Sequence, residues 1–388
     1  MSTWKPKRMP FGRRAKTMAA SGVKMMLHDR LKMLGTLFGV VFAVLLTVQQ
    51  LGTMFGLVYR NTMFVDNSQA DIWIVPPATE ALQPGKLFGE GALLQARATE
   101  GVEAAEPLLF GGGTLTLPSG GNEQVTLIGT RAPNYMGGPW NIIQGNREDL
   151  QLADGMFFED SKREQFGGLN IGSIRELNGK QVRVVGFSWG LIAFAPAYAF
   201  AEYDFARTLL NVPDGKMNFV LVRVRKGYDI EKVRAEIAKR VPEGDVVTRQ
   251  TFSSRITKNL LTGPIGISFA TSTSFGLAIG FFIVALLMFS SVLDNIREFG
   301  TLKAIGCTNG DLTKLILAQS MIYAFVGSFI GLGLVMNMVE NASSAEFFLV
   351  VPKWLLVLAP IMMLGMCLSA AFFALWRIRK LEPGMVFR

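Results

Sequence analysis

Residues 294–312, DNIREFGTLKAIGCTNGDL, gather Asp, Arg, Glu and Lys around three regularly spaced apolar residues. Phe299, Leu302 and Ile305 recur at helical spacing and form one stripe on a short helix, with Arg297, Glu298 and Lys303 beside it. Gly306 ends that helix and Gly310 adds a flexible point. Thr308 and Asp311 stand at capping-box spacing and open the next helix. An apolar stripe flanked by charge does the chemistry of recognition, not of bond breaking. Two readings of it stay open: it docks into a partner protein, or it lies back on a membrane interface as amphipathic helices do.

Bond-breaking chemistry is not expected anywhere in the chain. The phosphate-cradling pattern GxxxxGK[ST] does not occur: Gly85–Lys86 is followed by Leu87, and Gly215–Lys216 by Met217. Gly111–Gly113 precedes the alternating Thr114–Leu117 and reads as a turn entering a hairpin. Asp154, Glu159 and Asp160 read as a solvated acidic face. There is one histidine, His28, and the two cysteines are Cys307 and Cys367, so neither a metal site nor a Cys/His catalytic set is expected. No paired carboxylates, Ser-His-Asp set or HExxH stands out. The expectation is therefore no catalytic residue, no metal and no cofactor bound by this chain.

The elements that must position residues 294–312 are apolar. Nothing from Asn259 to Leu293 or from Leu315 to Val339 carries a charge, and such runs are long enough to cross a hydrocarbon core. Half of the 388 residues are hydrophobic and only 18% are charged, a membrane-protein balance with a polar portion. Much of the net charge of +9 is topological, because Lys5, Lys7, Arg8, Arg13, Arg14, Lys16, Lys24, Arg30 and Lys32 all precede the first apolar run. No aromatic-basic pattern points to nucleic acid.

The reading is an α-helical membrane protein with four transmembrane helices and an α/β extracytoplasmic domain inserted between the first and second. Residues 1–32 form a cytoplasmic basic segment with an amphipathic elbow helix over Ala19–Lys32, which is either an element beside a partner or a simple positive anchor. Spans follow at 33–58, within 259–293 after a lead-in helix over about Thr251–Asn259, at 313–339 and at 354–376. The outer domain is 59–258, a short outer loop 340–353 and a cytoplasmic tail 377–388. Arg377, Arg379 and Lys380 place the C-terminus inside, as the basic start places the N-terminus.

Within the outer domain, Ala70–Val75, Gln181–Phe187, Asn218–Arg225 and Asp245–Arg249 read as strands. Asp229 caps a helix to about Val241, with Val233, Ile237 and Val241 on one face. The domain contains no cysteine and so no disulfide. The span interiors hold no Asp, Glu, Lys or Arg, which counts against proton- or ion-coupled transport. Gly35/Gly39, Gly276/Gly280 and Gly327/Gly331 show small-xxx-small spacing, either for a dimer seam or sliding surface or for packing within one subunit.

Residues 297–306, REFGTLKAIG, resemble the signature loop of the FtsX-like permease domain, the MacB-type ABC transporter fold. The closing stretch Trp376–Arg388 and the order of one span, a large domain and three spans fit the same family. Gln49–Leu51, Ala70–Pro76 and Thr301–Gly306 look closest to DevC-like permeases. The resemblance implies that Arg297, Glu298, Phe299, Gly300, Leu302, Lys303, Ile305 and Gly306 form a coupling helix that docks into a separate ABC ATPase subunit. ATP and Mg²⁺ would then be bound by that subunit. It further implies a homodimer in the cytoplasmic (inner) membrane, in contact with membrane lipids and with the large domain in the periplasm. A membrane-fusion adaptor and an outer-membrane channel would complete an exporter of a lipid, glycolipid or other amphiphile or drug. The alternative within the family is an FtsX-type transmitter that regulates a cell-wall hydrolase.

Overall fold

A computed structural model describes residues 26–27, 29–83, 85, 87–190, 196–304, 307–341 and 349–378. The elbow helix expected over 19–32 falls mostly outside these residues, as do His28, Ile305, Gly306 and the closing basic stretch. The chain divides into two compact units. One is built on residues 56–267, the other on the helical segments before and after it.

Among the described residues, four helices are long and apolar enough to cross a membrane: α1 (Arg30–Asn67), then, after the α/β unit in chain order, α6 (Pro264–Asp294), α8 (Asn309–Asn341) and α9 (Lys353–Ile378). The helical unit is held by a buried cluster that takes Val40, Ala43, Val44 and Val48 from α1, Val284, Ala285, Met288 and Val292 from α6, Leu315, Ile316 and Ala324 from α8, and Leu355, Met363 and Ala370 from α9. All four helices therefore share one core.

The α/β unit begins inside α1, which runs on to Asn67 instead of ending near residue 58. Its last turns bury Met63, Phe64 and Val65, so packing carries the helix past the polar Tyr59–Arg60. The strands are β1 (Ile72–Val75), β2 (Phe88–Gly89), β3 (Val102–Thr116), β4 (Asn122–Thr130), β5 (Ile142–Gln144), β6 (Gly155–Glu159), β7 (Ile174–Leu177), β8 (Lys180–Ser188), β9 (Tyr198–Glu202), β10 (Lys216–Met217), β11 (Phe219–Val224) and β12 (Asp245–Thr248). The helices of this unit are α2 (Glu90–Arg97), α3 (Tyr203–Leu210), α4 (Ile230–Arg240) and α5 (Arg249–Thr262).

The main sheet runs β12-β1-β11-β3-β4-β9-β6-β8-β5, with β7 bridging β3 and β8. Most neighbours are antiparallel; β4 with β9 and β6 with β8 are parallel. Phe64 meets Trp73, Phe110, Trp140 and Tyr198, with ring centroids 5.5–6.2 Å apart. Trp73 in turn meets Phe219 and Phe252. Edge-on and tilted ring pairs of this kind add to simple area burial.

Four sequence readings hold here in detail. The strand expectations correspond to β1, β8, β11 and β12. Asp229 caps α4 by accepting from the Lys232 N–H at 2.9 Å. Val233, Ile237 and Val241 are all buried. The lead-in helix before the second apolar run is α5, capped by Thr248 Oγ1 on the Thr251 N–H.

Two readings are corrected. Gly111–Gly113 is no turn: β3 passes straight through it and pairs with β4 from Leu109 to Thr116, and the reversal comes at Leu117–Gly121. Gly111 and Gly129 lie where α3 presses on the sheet. A Cβ on Gly111 would lie 2.5 Å from Leu210 Cδ2, and one on Gly129 of β4 would lie 2.6 Å from Ala206 Cβ. Nor do Asp154, Glu159 and Asp160 form a solvated face. Glu159 is fully buried and accepts from Ser161 Oγ and the Gly190 N–H, while Asp154 pairs with Arg183 and Asp160 with Arg163. Every residue of β6 is buried, and Glu159 is held there by neutral donors and the nearby positive charge of Arg60.

Candidate functional site

The charged stretch folds as expected into a short helix, α7 (Ile296–Ala304), between α6 and α8. Asn295 makes the junction: its N–H donates to Ser291 O at 3.2 Å, and its carbonyl accepts from the Phe299 N–H at 3.0 Å. At the far end the Cys307 N–H donates to Leu302 O at 2.9 Å, closing the helix by a six-to-one bond. The capping box is realised on both sides. The Asp311 N–H donates to Thr308 Oγ1 at 3.3 Å, and the Thr308 N–H donates to Asp311 Oδ2 at 3.1 Å.

The apolar side of α7 faces its own chain. Phe299 is only 5% exposed and shares the buried cluster of Val292, Leu312, Leu315 and Ile316, with Leu302 packed against it. In this structure Phe299 and Leu302 anchor α7 to the helical unit and are not displayed. Arg297, Glu298 and Thr301 form the exposed face, Gly300 and Lys303 are half-buried, and Ile305 and Gly306 lie outside the described residues.

The glycines also meet the chain's own first helix. A Cβ on Gly276 would lie 3.2 Å from Leu46 Cβ, and on Gly280 2.6 Å from Ala43 Cβ. On Gly327 it would lie 2.5 Å from Val40 Cγ1, and on Gly331 2.7 Å from Val44 Cβ. Gly39 of α1 returns the contact, 2.7 Å from Ile283 Cγ2. Of the two readings, packing within one subunit accounts for all of these positions.

Sequence reasoning misses one pair. Lys32, in the first turn of α1, pairs with both Asp29 and Asp294, the last residue of α6. By sequence Lys32 belongs with the basic anchor, and no local pattern links positions so far apart along the chain.

Two family models match the chain. One, described as the FtsX-like permease C-terminal, covers residues 270–383, and the other, the MacB-like periplasmic core domain, covers residues 33–240. The chain belongs to the FtsX/MacB-like family of ABC transporter permeases. An uncharacterized ABC transporter permease of Methanocaldococcus jannaschii is 26% identical over 204 residues, which is 48% of this permease and 49% of the relative. The uncharacterized ABC transporter permease YknZ of Bacillus subtilis is 22% identical over 207 residues, 50% and 49% of the two chains. The permease thus matches about half the length of these curated relatives. Among solved structures, the periplasmic region of MacB from Actinobacillus actinomycetemcomitans matches with a TM-score of 0.37 at 11% identity, covering 48% of this permease and 92% of that chain. The extracellular domain of YknZ from Gram-positive bacteria matches with a TM-score of 0.35 at 14% identity, covering 46% and 98%.

Proposed function

We propose that this permease is the membrane-spanning subunit of an ABC-type exporter, and that α7 receives the stroke of a separate ATPase subunit. The observation that carries the reading is α7 itself. It is a short helix between two membrane-length helices, anchored by Phe299, with Arg297, Glu298 and Thr301 left to solvent. Charged rim residues orient a partner and set its register. Membership of the family supports the same role. In this reading both termini and α7 lie in the cytoplasm of a multi-pass inner-membrane protein, with residues 56–267 in the periplasm. The ATPase binds ATP and Mg²⁺, two copies of the permease associate, and an adaptor with an outer-membrane channel continues the path. The cargo is a lipid, glycolipid or other amphiphile or drug, taken from the outer leaflet or the outer compartment, because the spans offer no charged interior route.

The test is co-purification from native membranes of the permease with an ABC ATPase. Loss of the ATPase on Glu298→Lys or Arg297→Glu, with the permease still at normal membrane levels, is expected. An ATPase yield unchanged by both reversals would overturn the role given to α7.

A further inference from the structure

The Lys32 ammonium is shared by two unlike carboxylates. Asp29 lies three residues away on the same chain, 3.1 Å from Nζ at Oδ2, and its Oδ1 also accepts from the Lys32 N–H at 3.3 Å. Whatever the helices do, Asp29 stays with Lys32. Asp294 comes from a different helix. Its side chain is 59% exposed, against 23% for Lys32. Only Asn295 separates it from α7, and backbone hydrogen bonds run through that residue in both directions. Displacing α7 therefore displaces Asp294 relative to Lys32. A polar pocket lined by Asp29, Lys32, Thr36, Ser291, Gln319 and Tyr323 lies alongside.

We propose that Lys32 is a positioning residue, a latch that ties the start of the first span to Asp294 and so holds α7 in its resting pose. The inference rests on the coupling role proposed for α7. Removing one partner of a buried charge pair is costly because the other charge is stranded. Here Asp29 still neutralises Lys32 when Asp294 leaves, and the exposed Asp294 rehydrates at once. The latch can therefore open under load without stranding a charge. Pairs of such exposure are weak, so this one biases the resting pose by about two- to fivefold.

The experiment uses the full chain with Cys307 and Cys367 replaced and a spin label on Thr301→Cys, in lipid nanodiscs with and without the ATPase. Lys32→Gln and Asp294→Asn should each raise the mobility of the label, and the charge exchange Lys32→Asp with Asp294→Lys, made together with Asp29→Asn so that no second carboxylate faces the new one, should restore it. With the ATPase bound, the same single variants, unlabelled and with Thr301 retained, should raise idle hydrolysis by about two- to fivefold, and the exchange should return it. Rescue by the exchange is not expected of a side chain that merely fills space. Unchanged label mobility in both single variants, or an exchange that behaves like the singles, would overturn the latch. An ATPase that ignores the permease entirely would end the coupling reading, while the label mobility measured without the ATPase would still decide for or against the pair.

Discussion

Gly331 of α8 faces Val44 of α1 so closely that a methyl group on the glycine would lie 2.7 Å from Val44 Cβ. Gly327 makes the same approach to Val40, one helical turn away on both helices. The first span is thus seated on glycines of its own chain. Gly331→Ala should lower the thermal stability of the detergent-solubilised permease by about 1–3 kcal/mol, the usual cost of overpacking. Gly333→Ala, where a Cβ meets nothing within 4 Å, should be close to neutral. Equal effects at the two positions would show that the seat is not tight.

Phe299 and Glu298 are neighbours with opposite exposure, one buried and the other open to solvent. Phe299→Ala should destabilise the helical unit by about 3–5 kcal/mol and lower membrane levels, because a buried aromatic is lost. Glu298→Ala should leave levels intact and weaken only the hold on the ATPase. Immunoblotting of membranes beside ATPase co-purification separates the two. A Phe299→Ala protein at full level but without ATPase would return Phe299 to the docking face.

Topology is open to labelling. In a background without Cys307 and Cys367, Ser119→Cys should react with an impermeant maleimide added to cells whose outer barrier has been opened. Thr301→Cys should react only after the inner membrane is permeabilised. Both side chains are exposed, so access depends on the side of the membrane. Reversed labelling would invert the arrangement.

Tyr203 offers a pH test of the α/β unit. Its hydroxyl donates to Lys216 O at 2.8 Å, and burial, partly offset by Arg131, pushes the phenol up to about 12. A raised value in the folded state means that the stability tied to the neutral phenol is complete below pH 10 and is lost as pH rises toward 12. At pH 8, Tyr203→Phe should be less stable by about 1 kcal/mol, the worth of one hydrogen bond. Above pH 10 the wild type should lose about 1.4 kcal/mol per pH unit relative to the variant. The two urea midpoints should therefore cross near pH 11, and parallel curves across that range would refute the assignment.

How much of this was legible from sequence depended on whether a signal was local. Asp229 and the 3.6-residue spacing of Val233 and Ile237 lie within one element, and so does the Thr308–Asp311 box, so each could be read directly. The helical spacing of Phe299 and Leu302 was equally plain, but the side they faced depended on Leu312 and Leu315 across the turn. Gly111 misled because its reason, Leu210, lies on a helix far along the chain. A glycine in an open turn and a glycine under a packed helix look the same in one dimension. The glycine pairs were legible as close contacts, though not their partners, and the Lys32–Asp294 pair left no trace in local pattern.

The pairing of β1 sets a timetable. This strand, Ile-Trp-Ile-Val, is buried along its whole length, and its two neighbours are β11 and β12. Ile72 must wait for Val222, about 150 residues later, before its first ladder forms. At ordinary synthesis rates that gap lasts roughly 8–30 s. For that interval a fully apolar strand leaves the ribosome ahead of anything it can pair with, a state prone to aggregation. Until β11 and β12 have emerged, β1 is therefore an apolar strand with neither of its ladder partners, and the α/β unit closes on it last.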